Sequence, residues 1–359
     1  MSLNAWLIAG FYFAIIVLIY FNRKKFDVQA KLIYLYRTSW GISFMDKFAR
    51  NWPGAIKWIS IFGIIVGFLG MIVVFYLLVE GTITLFIEPE APASIAPVIP
   101  GVKIPGSSVF VPFWYGIISI FIVAVMHEAA HGIVARLHKL KVKATGIVFF
   151  GPIIGAFVEP DENQVKKLPV WKQLSLFAAG PFVNIATAFL VLGIILFIMG
   201  PVIAYAVEPS GVKITNVQEN MPAKLAGLKE GDIVEKVNDV EILTSENFTA
   251  VMKEIEPGDF IKIKTKENEF NVKTTENPNN SSKAYLGIVL SQEIEFNKNI
   301  RNSFGNNLPW VIIYFAQFLG WLALLSFGIG IANLLPLGPI DGGRMLLASL
   351  SYYLEETKA

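Results

Sequence analysis

Long apolar runs alternate with charged connections along most of the chain. Residues 4–21 ("NAWLIAGFYFAIIVLIYF"), 56–78 ("IKWISIFGIIVGFLGMIVVFYLL"), 109–135, 171–200 and 308–333 each approach or exceed the ~20 residues that a helix needs to cross a bilayer. A last stretch, 341–354, is short and ends near "YYLEETKA": it dips in, lies flat or just spans. Residues 31–50 ("KLIYLYRTSWGISFMDKFAR") mix charge with aromatics and fit a helix lying in the interface. Residues 142–162 ("VKATGIVFFGPIIGAFVEPDE") are rich in Gly, Val, Ile and Phe and bounded by charge and proline. They read as a β-hairpin dipping back into the membrane, or else as a packed interfacial loop. Backbone at that depth needs partners, and an exposed strand edge can hold an extended peptide by strand addition.

From Glu208 to about Leu290 the pattern changes to charged and turn-rich. "DFIKIKTK" alternates apolar residues with lysine, a half-buried strand, and "ENEFNVK" reads as its hairpin partner. "NMPAKLAGLKEGDIVEKVNDVEI" predicts a short helix closed near Gly227, a "KEGD" turn, a strand and an "ND" turn. "SENFTAVMKEI" predicts about three helical turns with Ser245 as N-cap. "ENPNNSSK" (276–283) reads as a mobile loop. Together these make one small α+β domain.

Composition turns the apolar runs into a membrane assignment. The chain is 54% hydrophobic and 16% charged, with a mean hydropathy of +0.56, whereas globular domains carry ~25% charge. A net charge of +2 and the lack of a basic stripe with interleaved aromatics argue against nucleic acid. With no cysteine, any metal must be held by histidine and carboxylate. "NRKK" follows the first run and no basic residue precedes it, the reverse of a signal peptide's charge order. The first run is therefore read as a retained helix. The 22–55 connection holds Arg23, Lys24, Lys25, Lys31, Arg37, Lys47 and Arg50, and 136–172 is equally basic, whereas 82–111 holds only Lys103 beside Glu88 and Glu90. The positive-inside rule makes the first two cytoplasmic and puts the N-terminus, 82–111 and 201–307 outside.

The chemistry sits where polarity is least expected. "HEAAH" places His127 and His131 four apart, on one helix face, as a zinc ion requires. Glu128 stands beside them, able to take a proton from a zinc-bound water whose pKa falls from ~15.7 to about 7. An HExxH sequence also arises by accident on soluble helices. Here, however, fifteen uncharged residues, Pro112 to Met126, precede it, and ionisable groups at such depth are costly unless functional. His138, seven residues on and beside Lys139 and Lys141, reads as an interface residue. A catalytic zinc needs a third protein ligand. Asp341, in "NLLPLGPIDGG", is the candidate by elimination, being the only carboxylate between Leu308 and Tyr353. Taken alone, Asp341 reads equally well as the N-cap of 341–354. Pro336 and Pro339 break the helix before it, and broken backbone at membrane depth lines a cavity or is buried. Asn184, in "AAGPFVN" beside Ala178, Ala179 and Gly180, serves close helix packing or function with equal plausibility.

"HEAAHG", "FAAGPFVN" and "NLLPLGPIDGG" on successive apolar segments resemble the site-2 protease family of intramembrane zinc metalloproteases, over about 109–350. "AGLKEGDIVEKVNDVEI" and its order of elements resemble a PDZ domain, which the family often carries inserted at this point. The resemblance implies one Zn(2+) held by His127, His131 and Asp341, Glu128 as general base, and Asn333 steadying the substrate carbonyl or oxyanion. Ile340 stands where the family often has leucine.

The expected fold is a mainly α-helical multi-pass membrane protein of about six transmembrane segments, with a re-entrant β-hairpin and an inserted α+β PDZ domain. Its domains are N-terminal helices (1–107), a first protease part (108–207), the PDZ domain (208–291, outside) and a second protease part (292–359). The expected activity is zinc-dependent cleavage of peptide bonds in or near transmembrane segments of membrane proteins, the active site lying toward the cytoplasmic side. The PDZ domain would bind a peptide or tail, or act as a size filter. The alternative is a proteolytically silent membrane scaffold that binds partner tails through the PDZ domain.

Overall fold

The computed structural model describes residues 3–29, 33–88, 98–104, 107, 109–150, 153–278, 280–305 and 307–356. Along the chain the first elements are α1 (Leu3–Phe21), β1 (Phe26–Gln29), β2 (Ile33–Thr38), α2 (Ile42–Asn51), α3 (Pro53–Ile87), α4 (Phe113–Leu137), β3 (Val142–Phe150), β4 (Ile153–Pro160), α5 (Glu162–Val165) and α6 (Val170–Ile194). Next come α7 (Gly200–Ala206), β5 (Val207–Val217), α8 (Pro222–Leu225), β6 (Ile233–Val237), β7 (Val240–Glu241), α9 (Ser245–Lys253), β8 (Phe260–Thr265) and β9 (Glu269–Lys273). The last are β10 (Thr275–Asn277), β11 (Asn280–Tyr285), β12 (Ile288–Phe296), α10 (Lys298–Phe304), α11 (Leu308–Ala332) and α12 (Asp341–Glu356).

Among the described residues, four stretches are helical, long and apolar enough to cross a membrane: Pro53–Ile87, Phe113–Leu137, Val170–Ala206 and Leu308–Ala332. Ala5–Phe21 is apolar but shorter. Such helices show no polar face because lipid, not water, surrounds them. α3 opens with Pro53 in its first turn, where the missing N–H has no partner to lose. It runs to Ile87, past the expected end at residue 78. α6 carries Pro181 inside and passes through a π-helical turn, Ile195–Met199, into α7.

The chain divides into two compact units, Met1–Leu196 with Ala316–Ala359, and Phe197–Phe315. In the first, Met71, Val74, Ala178, Ile185, Leu334 and Met345 form a core joining α3, α6 and the α11–α12 connection. A second core gathers residues of α4, β3 and α6 around Ala130, Val134, Val142 and Leu176. Small residues permit the close approaches: a Cβ on Gly132 of α4 would lie 2.3 Å from the Met45 sulfur of α2.

The same unit holds a four-stranded antiparallel sheet in the order β1-β2-β3-β4. This corrects the reading of 31–50 as one interfacial helix: only Ile42–Asn51 is helical, and Ile33–Thr38 is a strand. The physical reason is that β3 would otherwise keep an open edge of unpaired amides and carbonyls. β2 fills it, pairing Tyr34 with Phe149 and Tyr36 with Ile147. Gly146 allows the close approach, since a Cβ there would meet the Tyr36 carbonyl oxygen at 2.0 Å. Arg37 of β2 pairs with Glu159 of β4 and, at 3.4 Å, with Asp27 of β1.

The second unit is built on a sheet ordered β12-β5-β6-β8-β9, with β7 on β6. Val212, Ile214, Val234, Val237, Ile242 and Ile263 are fully buried within it. β8 alternates exposed and buried residues along its length and pairs with β9, Ile261 opposite Val272 and Ile263 opposite Phe270. Gly227 closes α8 at φ +94° and Asn238 takes φ +53° in the "ND" turn. The N-cap of α9 is Thr244, one residue before the expected Ser245. Thr244 and Asn247 form a reciprocal capping box, while the Ser245 amide donates to Gln292 Oε1 at 3.0 Å. The segment expected as a mobile loop carries an antiparallel pair, β10 with β11. Asn279 lies outside the described residues.

Candidate metal centre

Helical spacing brings the two imidazoles of α4 together, with Nε2 of His127 and Nε2 of His131 3.1 Å apart. Asp341, first residue of α12, adds its Oδ2 at 3.0 Å from His127 Nε2 and 3.3 Å from His131 Nε2. The three side chains are only 10–12% exposed. Pro336 and Pro339 interrupt the helix between α11 and α12, and the Gly342 amide then closes the connection on the Asn333 carbonyl at 2.7 Å. Gly342 and Gly343 leave no room for side chains: added Cβ atoms would lie 2.3 Å and 2.5 Å from the carbonyl oxygens of Leu334 and Gly338.

The donor set suits a small dication. Zinc sits about 2.0–2.1 Å from imidazole nitrogen, and a tetrahedron of that radius has edges of about 3.4 Å, close to the 3.0–3.3 Å edges found here. Two imidazole lone pairs and a carboxylate oxygen so close together repel one another unless a proton or cation lies among them. α6 leaves space at the same point. A Cβ on Gly180 would fall 2.4 Å from His131 Nε2 and 2.5 Å from His127 Nε2. Each ring is also held from behind. His131 Nδ1 donates to the Leu176 carbonyl at 2.7 Å, and His127 Nδ1 lies 3.0 Å from the Asn184 amide.

Glu128, next to the cluster in sequence, accepts the Val158 amide on Oε2 at 2.9 Å. Val158 belongs to β4, the end strand of the sheet order, so the carboxylate is fixed by a strand edge. Asn333 lies at the base of the Asp341 connection, but its side-chain amide donates to the Ile329 carbonyl at 2.9 Å. The structure therefore gathers His127, His131 and Asp341, sets Glu128 beside them, and turns the Asn333 side chain back on its own helix. His138 caps α4 away from the cluster and donates from Nε2 to Ser175 Oγ at 2.8 Å. Burial, helped by the nearby Lys172 charge, pushes its pKa down to about 4. Sequence reasoning missed Gly180 as the space for the ligands, Val158 as the partner of Glu128 and the His127 ring as the partner of Asn184. The signal for Gly180 and Asn184 was the small-residue run "AAGPFVN", and for Val158 it was the strand edge expected within 142–162.

Comparison with known proteins adds an independent line. The family described as Peptidase family M50 matches residues 115–358. An uncharacterised protein of Methanocaldococcus jannaschii is 30% identical over 236 residues, covering 65% of this chain and 56% of its own length. The zinc metalloprotease RasP of Oceanobacillus iheyensis is 25% identical over 240 residues, covering 54% of each chain. The chain thus spans about half the length of these curated relatives. The PDZ domain of an SdrC-like protein from Listeria monocytogenes is a solved structure that matches 23% of this chain and 87% of its own, at 23% identity and a TM-score of 0.21.

Proposed function

The chain belongs to peptidase family M50, the site-2 protease family, and on that premise we propose that it is a zinc metalloprotease hydrolysing peptide bonds in or near membrane-spanning segments of other proteins. The observation that carries this reading is the triangle of His127, His131 and Asp341 donor atoms, drawn from elements 214 positions apart, with a carboxylate at its side. These three residues would hold one zinc ion. When bound, zinc supplies a Lewis acid that polarises a carbonyl and makes water acidic near neutral pH.

Glu128 takes the proton released as water adds to the scissile carbonyl carbon. It then passes that proton to the amide nitrogen, which leaves as an amine when the C–N bond breaks. The Val158 amide keeps this carboxylate from swinging away. The site lies among apolar helices, so the substrate is a peptide that tolerates lipid. A helical substrate must unwind locally to present its carbonyl, and the edge of β4 turned away from β3, apart from the Val158 amide that Glu128 takes, offers backbone partners for the unwound strand. This assigns to β4 the role expected of the 142–162 hairpin as a whole. Asn333 would serve the substrate carbonyl after leaving Ile329.

The lysine and arginine distribution supports a cytoplasmic-side active site with 201–307 outside. Residues 208–291 act as a PDZ-type filter for substrates already trimmed outside, or bind a tail. The test is cleavage of a single-span reporter by the full chain in liposomes. Glu128→Gln should keep zinc and lose about 10²–10⁴-fold in rate, and Asp341→Ala should lose both zinc and cleavage. A zinc-loaded wild type that leaves reporters uncut would sink the protease reading and favour the scaffold.

A further inference from the structure

Asn184 lies fully buried in α6, and its amide is 3.0 Å from Nδ1 of His127. We propose that Asn184 is a positioning residue for His127: its Oδ1 accepts the Nδ1 proton and so holds the ring with the Nε2 lone pair facing His131 and Asp341. The inference rests on the metal reading above.

A neutral imidazole carries one proton. If the Asn184 NH₂ donates to Nδ1, that proton must sit on Nε2, which points into the cluster and then has no lone pair for a metal. If Oδ1 faces Nδ1–H, Nε2 is free to bind. The two ends of the amide have nearly the same shape, so hydrogen bonding decides the orientation. With NH₂ toward the ring, Asn184 Oδ1 is buried without any hydrogen-bond partner among the described residues, an arrangement that folded proteins disfavour. Turning the amide gives that oxygen the ring proton and moves the NH₂ to the position Oδ1 leaves, so the turned form is selected by the Nε2 lone pair that a metal among His127, His131 and Asp341 requires.

The main chain that carries the amide is also held. The Asn184 backbone carbonyl accepts Ser326 Oγ at 2.8 Å, and Gly330 of α11 lies so close that a Cβ there would be 3.0 Å from the Asn184 Cβ. His131 sets the precedent, because its Nδ1 faces the Leu176 carbonyl, which can only accept. Both rings thus meet an acceptor from α6, and this outer support is the usual means of fixing a ligand's tautomer. A packing role alone would be satisfied by leucine, which is similar in size.

The experiment measures zinc affinity of the detergent-solubilised full chain by competition with a chelator, for the wild type, Asn184→Leu, Asn184→Asp and Asp341→Ala. Asn184→Leu should bind about 10–100-fold more weakly. Asn184→Asp, of the same shape and an acceptor only, should stay near the wild type. Wild-type affinity in Asn184→Leu overturns the inference, and so does an Asn184→Asp as weak as Asn184→Leu. If Asn184→Leu does not fold, Asn184→Asp and the ¹⁵N signals of His127 decide, with a protonated Nδ1 expected and a protonated Nε2 overturning. A wild type that holds no more zinc than Asp341→Ala overturns the metal reading itself, a result the two Asn184 variants alone cannot produce.

Discussion

The two compact units both bury apolar side chains but differ in what else they enclose. At the centre of 197–315 lie Val212, Ile214, Val234, Val237 and Ile263, while Lys262 and Lys264 of the same strand face outward. In the other unit Phe189 and Leu190 of α6 are 62% and 66% exposed, and the enclosed positions include His127, Asn184, Ser119 and Ser175. The surroundings account for the difference. Water drives carbon inward, whereas lipid gives no such drive, and polar groups turn inward to find partners. A polar atom at the centre of the first unit therefore calls for a specific explanation, and an aliphatic atom at the centre of the second does not.

Three substitutions test that contrast. The largest effect is expected from Gly180→Ala, whose added methyl would occupy the space between the two Nε2 atoms. Zinc content measured by mass spectrometry should fall to background and cleavage should cease, while the chain still folds. Retained zinc would reduce Gly180 to a packing residue. Next, Ile263→Ala should destabilise the second unit by about 2–5 kcal/mol, followed by urea unfolding and proteolysis, and leave zinc affinity unchanged. A matching loss of zinc would show that the contrast between the units does not extend to their function.

The smallest effect concerns His138. Its pKa is depressed in the fold from 6.5 to about 4, chiefly by burial and then by the Lys172 charge. The fold therefore favours the neutral ring. Its contribution is fully present above about pH 6.5 and is lost as pH falls from there through 4. Melting temperature measured from pH 7 to 4 should decline less steeply in His138→Asn than in the wild type, and parallel curves would dismiss the effect.

The features legible in the sequence were those that depend on near neighbours. The "HEAAH" pair follows from four-residue spacing, the β8–β9 hairpin from strict alternation, and the apolar helices from run length. The strand at 33–38 was not legible, because "IYLYRT" fits an interfacial helix equally well until its partner is known, and Thr38 meets Thr145 only 107 positions later. The hold of Val158 on Glu128 depends on strand register, which sequence does not disclose. The helix break at Pro336 and Pro339 pointed to an enclosed Asp341, but which atoms it would face required the fold. Gly180 was visible as a small residue, yet nothing local distinguishes room for a neighbouring helix from room for an ion.

The separation of 214 positions between His127 and Asp341 also bears on biosynthesis. A nascent chain that has emerged only as far as α11 carries both imidazoles and lacks the acid that completes the triangle. The centre can therefore close only after Asp341 has left the ribosome and α12 has docked, so the triangle of donor atoms stays incomplete until then.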